Sequence, residues 1–237
     1  MFAAHLPAKI QTSRSICLLA TNATVVISRL SHSRRRRDTS GDPNNGFMSA
    51  RADTTGLILA GGAGLRVGGR DKGLLDWRGQ TLAAHVAARL RPQVGRLLIS
   101  CNRNRDYYAT LADGTVADSR RDFQGPLAGI EAATPGLGGR FLVIAPCDTP
   151  LLPLDLAARL LAALGSPEDP AAEISYAHDG EREQYLCAAM HLEVLRTLPH
   201  FLNEGQRAVR CWYAQHRCVP VDFSTQAHCF TNLNRME

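Results

Sequence analysis

Hydrophobic positions after residue 54 alternate between short unbroken apolar runs and longer segments with helical spacing. Short apolar runs that end in glycine, proline or polar residues are typical of strands buried in a parallel sheet. Seven such strands are predicted, at residues 56–60, 96–100, 115–117, 141–145, 173–177, 186–190 and 218–222.

Helices are predicted between these strands. Leu82, Val86 and Leu90 recur every four residues and form one apolar helix face, with Thr81 placed to cap its start. Further helices are predicted at residues 107–111, 127–134, 154–164, 193–201 and 206–216. Strands that alternate with helices indicate an α/β fold with a mostly parallel sheet covered on both faces.

The first 47 residues differ from the rest of the chain. They are rich in Ser, Thr, Asn and Arg, show no period, and carry seven basic and two acidic residues. The remaining chain carries 20 basic and 20 acidic residues, so the whole net charge of +5 comes from this segment. We expect residues 1–47 to be a disordered leader and residues 48–237 to form one domain, with Met48 as an alternative start. The alternative interpretation of the run Arg34–Arg37 is a targeting signal or a nucleic-acid-binding patch.

Composition narrows the class of protein further. Residues 48–237 have no net charge and so lack the positive electrostatic potential that nucleic-acid-binding proteins need. No nucleic-acid partner is therefore expected. The apolar run at residues 16–27 is too short to span a bilayer, and no membrane association is expected. The seven cysteines show no zinc-binding spacing, which favours reduced thiols and a cytoplasmic location.

The segment most indicative of chemistry directly follows the first predicted strand and reads L-A-G-G-A-G-L-R-V-G-G-R-D-K-G over residues 59–73. Its glycines let backbone N–H groups approach phosphate oxygens, and Arg66 and Lys72 add two cations suited to a polyphosphate. A glycine-rich structural turn is the alternative.

Two familiar phosphate-binding motifs do not match this segment. A dinucleotide fingerprint that begins at Gly62 requires glycine where the chain has Val67. A Walker A loop requires Lys and Ser or Thr after its second glycine, whereas Gly69 is followed by Arg70 and Asp71.

Polar residues follow three later strands. Asn102 comes after residues 96–100, Asp118 after residues 115–117, and Asp148 after residues 141–145. An aspartate just beyond the carboxyl end of a buried strand is well placed to bind a hard cation such as Mg²⁺. The alternatives are a turn-forming role for Asn102, a loop or helix start for Asp118, and a helix cap for Asp148.

The pattern L-A-G-G-x-x-x-R-x-G-G-x-D-K resembles that of bacterial molybdenum cofactor guanylyltransferases, and the resemblance covers residues 55–237. Val67 stands where the family usually has Met. S-C-N-R at residues 100–103 is similar to the family's N-x-N-R, with Ser100 in place of the first Asn. The stretches G-P-L-A-G (125–129), H-D-G-E-R (178–182) and F-T-N-L-N (230–234) resemble further family segments.

This resemblance implies a Rossmann-like three-layer sandwich of the nucleotide-diphospho-sugar transferase type. It also implies transfer of GMP from GTP to the phosphate of molybdopterin, with Mg²⁺ as cofactor and release of pyrophosphate. A related cytidylyl- or sugar-phosphate nucleotidyltransferase is the alternative. Expected partners are these two substrates and molybdoenzyme chaperones, and the protein is expected to be a monomer.

The resemblance also assigns roles to individual residues. Asp148, Lys72 and Arg66 would be catalytic, and Asp148 would bind the metal. GTP would be bound by Leu59, Ala60, Gly61, Gly62, Lys72, Asn102, Asp118 and Asp148. The 178–182 segment would lie on the pterin side of the cleft or form a hairpin turn. The asparagines of the 230–234 segment would order substrate loops or end the chain.

Overall fold

The computed structural model describes residues 50–62, 70–120, 124–165 and 171–233. The predicted leader at residues 1–47 lies outside them, as does Arg66. No helix in the described part of the chain is long and apolar enough to cross a membrane.

A seven-stranded sheet forms the centre of the fold, with strand order β5-β4-β1-β6-β8-β7-β9. Its strands are β1 (Thr54–Leu59), β4 (Arg96–Ser100), β5 (Gly114–Val116), β6 (Phe141–Pro146), β7 (Ile174–His178), β8 (Glu183–His191) and β9 (Cys218–Asp222). All pairings are parallel except those of β8, which runs antiparallel to both β6 and β7. The predicted mostly parallel sheet is therefore confirmed.

Helices cover both faces of this sheet. They are α1 (Leu82–Leu90), α2 (Arg105–Ala109), α3 (Pro126–Ala133), α4 (Leu156–Leu164), α5 (Leu198–Asn203) and α6 (Val209–Tyr213). One face packs against α1, α2 and α4, and the other packs against α3, α5 and α6. Adjacent β1 residues Leu57 and Ile58 belong to opposite faces, and both are fully buried. This is why the central strand reads as a continuous apolar run.

The structure differs from the predicted elements in several places: the helix predicted at residues 107–111 lies at Arg105–Ala109, the strand predicted at 186–190 extends over Glu183–His191, and a 3-10 helix at Ser224–Phe230 was not predicted. A short antiparallel hairpin of β2 (Asp76–Trp77) and β3 (Gln80–Thr81) was not predicted. Its turn is formed by Arg78 and Gly79, both with positive φ, as the tight turns of two-residue hairpins require.

The two helices predicted at residues 193–201 and 206–216 are shorter and interrupted. A 3-10 helix occupies Leu192–Thr197, and α5 begins only at Leu198, with proline in its first turn. Gly205 with φ of +81° then ends this helical region, and α6 is a separate five-residue helix.

Sheet direction determines where loops gather. Since β1, β4, β5 and β6 run parallel, the loops after their carboxyl ends meet at one edge of the sheet. The carboxyl ends of β7 and β9 and the amino end of β8 lie at that same edge.

Candidate active site

Lys72 and Asp148 meet at this edge, although 76 residues separate them. Lys72 Nζ lies 3.2 Å from Asp148 Oδ2, and the side chains are 24% and 11% exposed. Lys72 opens a 3-10 helix (Lys72–Leu74), and Asp148 follows β6. The glycine-rich segment and the aspartate after the buried strand therefore share one site.

The end of the described chain closes over Asp148. With its amide nitrogen turned towards the aspartate, Asn232 has this nitrogen 2.7 Å from both carboxylate oxygens and 3.0 Å from the backbone carbonyl oxygen, and these three oxygens share its two N–H donors. The backbone N–H of Leu233 donates to the same carbonyl at 3.2 Å. The F-T-N-L-N segment thus helps to fix Asp148, as far as residue 233; Asn234 lies outside the described residues.

A second polar cluster lies further along the edge, after β1, β4 and β5. Asn102 Nδ2 donates to Asp118 Oδ2 at 2.9 Å and to the Gly61 carbonyl at 3.2 Å. The Asp118 backbone N–H donates back to Asn102 Oδ1 at 2.9 Å. Asn102 therefore bridges two loops, which is more than the turn-forming role left open by the sequence.

Two buried oxygens in this cluster have no hydrogen-bond partner among the described residues: Asp118 Oδ1 and Ser100 Oγ. Burial raises the pKa of Asp118 above its ordinary value, although nearby Asn102 and Ser100 favour its charged form. An orphaned buried acceptor is costly unless a ligand satisfies it, so Asp118 is a candidate contact for a donor on a bound molecule.

Ser100 is buried beneath this cluster. It is fully inaccessible, and a Cβ at Gly129 would lie 2.5 Å from its Oγ. Gly129 belongs to the G-P-L-A-G stretch and lies in α3. Ser100, at the end of β4, therefore packs directly against this helix.

The capping alternatives for the two aspartates do not hold. The residue that precedes α4 is Asp155, and the residue that precedes α3 is Gly125. Asp148 and Asp118 both lie in loops at the carboxyl edge.

The remaining predicted nucleotide contacts are Leu59, Ala60, Gly61 and Gly62, at the carboxyl end of β1. The backbone N–H of Ala60 donates to the Ser100 carbonyl at 2.8 Å, which continues the β1–β4 pairing into the loop. Gly61 faces the Asn102–Asp118 cluster, and Gly62 has open space beside its Cα.

The carboxylate of Asp148 offers oxygen donors of the kind that a divalent cation takes. No group of three or more His, Cys, Asp or Glu side chains that could hold a metal occurs among the described residues. Mg²⁺ typically uses one or two protein carboxylates and takes its other ligands from phosphates and water. The single, largely buried carboxylate of Asp148 is in keeping with a site of that kind.

Cys147, next to Asp148, is a packing residue. It is 6% exposed, and burial, together with the neighbouring aspartate, raises the pKa of its thiol far above the ordinary value. A thiol that stays protonated is not a nucleophile.

The H-D-G-E-R segment forms the turn between β7 and β8. Asp179 Oδ1 accepts hydrogen bonds from the backbone N–H groups of Glu181 and Arg182 at 2.9 and 2.7 Å, and Gly180 has φ of +100°. The hairpin alternative is therefore what the structure shows, and this hairpin lies at the carboxyl edge.

Sequence reasoning did not single out two residues that contact the Lys72 segment. Tyr108 and Asn104 from the α2 region donate to the carboxylate of Asp71. Asp71 stands in the recognised motif, but no pattern in the sequence links it to residues more than 30 positions away.

Comparisons with known proteins show which family the chain is similar to. Residues 56–221 match the family described as MobA-like NTP transferase domain. A molybdenum cofactor guanylyltransferase from Shewanella loihica is 41% identical over 190 residues, which are 80% of this chain and 94% of the relative. The enzyme of the same name from Shewanella sediminis is 39% identical over the same shares.

Solved structures support the fold. The crystal structure of molybdopterin-guanine dinucleotide biosynthesis protein A from Archaeoglobus fulgidus aligns with a TM-score of 0.61 at 18% identity, over 76% of this chain and 92% of that chain. A nucleotidyl transferase from Methanothermobacter thermautotrophicus aligns with a TM-score of 0.58, also at 18% identity, over 77% and 92%. The predicted nucleotidyltransferase-type α/β fold is confirmed, and the chain belongs to the molybdenum cofactor guanylyltransferase family.

Proposed function

We propose that this protein transfers GMP from GTP to the phosphate of molybdopterin and releases pyrophosphate. The observation that carries this proposal is the Lys72–Asp148 pair at the carboxyl edge of the sheet, within a chain of the guanylyltransferase family. A cation beside a glycine-rich segment suits a triphosphate, and a carboxylate at the same place suits the divalent cation that accompanies it.

The reaction needs little covalent chemistry from the protein. A phosphate oxygen of molybdopterin attacks the α-phosphorus of GTP, a new P–O bond forms, and the bond to the β-phosphate breaks. Since the nucleophile is already anionic, no Ser, Cys or His has to be activated. Catalysis then depends on positioning and on neutralising charge.

In this scheme Lys72, together with Arg66, binds the triphosphate and stabilises charge on the departing pyrophosphate. Asp148 would hold Mg²⁺, and the bound ion would neutralise charge on phosphate oxygens. Asn232 keeps the Asp148 carboxylate oriented, in accordance with its 2.7 Å contacts. To bind the triphosphate, Lys72 would leave its 3.2 Å ion pair with Asp148.

The nucleotide lies across β1, β4 and β5 in this proposal. Backbone groups of residues 59–62 hold it, and the Asn102–Asp118 pair supplies hydrogen-bonding groups further along the edge. The orphaned Asp118 oxygen accepts a hydrogen bond from the nucleotide. Molybdopterin then enters from the half of the edge formed by β8, β7 and β9. In this proposal the protein is a cytoplasmic monomer, and it passes its product to molybdoenzyme chaperones.

Asp148→Asn tests the metal assignment. The variant keeps the shape of the side chain and removes its charge, so kcat for GMP incorporation into molybdopterin should fall by about 100-fold or more. The measurement uses the full chain with GTP and Mg²⁺ and follows pyrophosphate release, and CTP replaces GTP in a parallel reaction.

Asp53→Asn is the matched control. Asp53 pairs with Arg140 at the opposite edge of the sheet, where β1 begins, and its loss should leave turnover unchanged. Near-normal turnover by Asp148→Asn would refute the metal assignment, and use of CTP in preference to GTP would refute the guanylyl assignment.

A further inference from the structure

Asp71 fixes the short helix that carries Lys72. It precedes the 3-10 helix Lys72–Leu74, and its Oδ1 accepts a hydrogen bond from the Gly73 backbone N–H at 3.1 Å. Side-chain capping of this kind holds the first turn of a helix in place. The backbone on which Lys72 is mounted therefore depends on the position of the Asp71 carboxylate.

That carboxylate is itself held by a distant part of the chain. Tyr108 Oη donates to Asp71 Oδ1 at 2.7 Å, and Asn104 Nδ2 donates to Asp71 Oδ2 at 3.0 Å. Both donors belong to the connection between β4 and β5, 37 and 33 residues from Asp71. Hydrogen bonds to a charged acceptor are stronger than those between neutral groups.

Tyr108 is well suited to be a fixed donor. It is fully buried, and burial together with the hydrogen bond to Asp71 raises the pKa of its hydroxyl far above the ordinary value. The hydroxyl therefore stays protonated. Gly73 makes room for it, because a Cβ at that position would collide with Tyr108 Oη.

Asp71 has little capacity left for another role. Its two oxygens accept three hydrogen bonds from Tyr108, Gly73 and Asn104. A carboxylate engaged in this way fixes the orientation of the groups that donate to it. Both residues that flank Lys72 therefore contact Tyr108: Asp71 accepts a hydrogen bond from its hydroxyl, and Gly73 leaves room for that hydroxyl.

We propose that Tyr108 is a positioning residue that acts through Asp71 to hold Lys72 opposite Asp148. The inference rests on the proposed function, in which Lys72 binds the triphosphate. It adds that Tyr108, in the connection between β4 and β5, helps to set the position of the Lys72 ammonium group.

Tyr108→Phe tests the inference, because it removes one hydroxyl and keeps the buried ring. We expect kcat/KM for GMP transfer by the full chain to fall about 10-fold, which corresponds to about 1.4 kcal/mol and is close to the lower end of the range for a hydrogen bond to a charged group. Tyr107→Phe is the matched control: Tyr107 Oη bonds to Thr81 Oγ1 at 2.8 Å, away from Asp71, and its loss should leave kcat/KM unchanged.

A double-mutant cycle separates positioning from general support of the fold. If Tyr108 acts through Lys72, Tyr108→Phe should have no further effect in a Lys72→Ala background. An undiminished 10-fold loss in that background would overturn the inference, and so would a Tyr108→Phe protein that matches the wild type.

For the same four proteins (wild type, Tyr108→Phe, Lys72→Ala and the double variant), the dissociation constant of a fluorescent GTP analogue is also measured. If the wild type binds the analogue but transfers no GMP, the proposed function fails while the cycle on binding still decides the role of Tyr108. A wild type that neither binds nor transfers refutes both proposals.

Asn104→Gly is a second test of the inference, and it is needed if Tyr108→Phe lowers the Tm and so destabilises the fold. It removes the other side-chain hydrogen bond to Asp71. Asn104 is exposed and has φ of 52°, a conformation that glycine adopts without strain, so the variant removes only the amide. We expect a loss of about threefold in kcat/KM, smaller than for Tyr108→Phe because the amide is exposed, and this loss too should vanish in the Lys72→Ala background. A loss that persists there counts against the inference.

Discussion

Individual glycines set how closely the segments of the site approach one another. Gly73 leaves space for Tyr108 Oη, and Gly129 leaves space for Ser100 Oγ. Gly61 lies against Asn102, since a Cβ added at Gly61 would lie 3.2 Å from the side-chain amide nitrogen. The motif glycines therefore have a packing role besides the backbone approach to phosphate that their sequence pattern indicates.

Gly129→Ala is expected to destabilise the fold by about 1–3 kcal/mol, because the new methyl group would lie 2.5 Å from Ser100 Oγ inside a packed core. Urea unfolding measures the change. Gly138→Ala, where a Cβ meets open space, is the control and should change the free energy of unfolding by less than about 0.5 kcal/mol.

Ser100→Ala in the Gly129→Ala background should recover part of the lost stability, since it removes the clashing oxygen. If Gly129→Ala is as stable as the wild type, α3 can move away from β4 without cost, and the close approach of the two elements is not required.

Helix α1 connects the β2–β3 hairpin with the rest of the domain. Thr81 ends the hairpin and also caps α1, as predicted from the sequence: its Oγ1 accepts from the Ala84 N–H at 3.1 Å. Val86 and Leu90 are fully buried in the core between this helix and the sheet, and Leu82 is 1% exposed. Helix α1 is thus stabilised both by its threonine cap and by its packing on the sheet.

Thr81→Ala should lower the free energy of unfolding by about 1 kcal/mol through loss of the cap. Thr81→Ser keeps the hydroxyl and should remain close to the wild type. Tyr107→Phe removes only the hydrogen bond between Tyr107 and Thr81, and so measures that part separately. Equal stability of Thr81→Ala and the wild type in urea would show that the cap does not contribute.

At the scale of the whole molecule, the parallel arrangement of four strands brings the polar residues to one edge. Asn102, Asp118 and Asp148 follow three different strands, and Lys72 comes from the segment after β1. The antiparallel strand β8 then extends the sheet and carries the H-D-G-E-R hairpin to the same edge. The proposed two-substrate reaction requires such a shared edge.

Residues 48–237 alone are expected to retain the activity of the full chain. The family match covers residues 56–221, and every predicted site residue lies beyond residue 47. The measurement compares GMP transfer and Tm of this fragment with those of the full chain. A fragment that stays folded but loses transfer would show that the basic segment takes part in the reaction.

Local pattern by itself determined much of this protein. Apolar runs predicted the strands, and β4 and β9 have the predicted bounds, because burial on both faces of a sheet leaves a continuous apolar signal. Helical spacing and a capping threonine predicted α1, and the family resemblance indicated Lys72, Asn102, Asp118 and Asp148 as site residues. Interactions within a few residues, or within a recognised motif, are readable in this way.

Only the tertiary structure decided which distant side chains meet. The sequence did not show that Tyr108 holds Asp71, that Ser100 packs on Gly129, or that Asn232 reaches Asp148. It also did not indicate the place of β8 between β6 and β7. These contacts join residues tens of positions apart, and their geometry depends on how strands and helices pack, which leaves no periodic trace in any single segment.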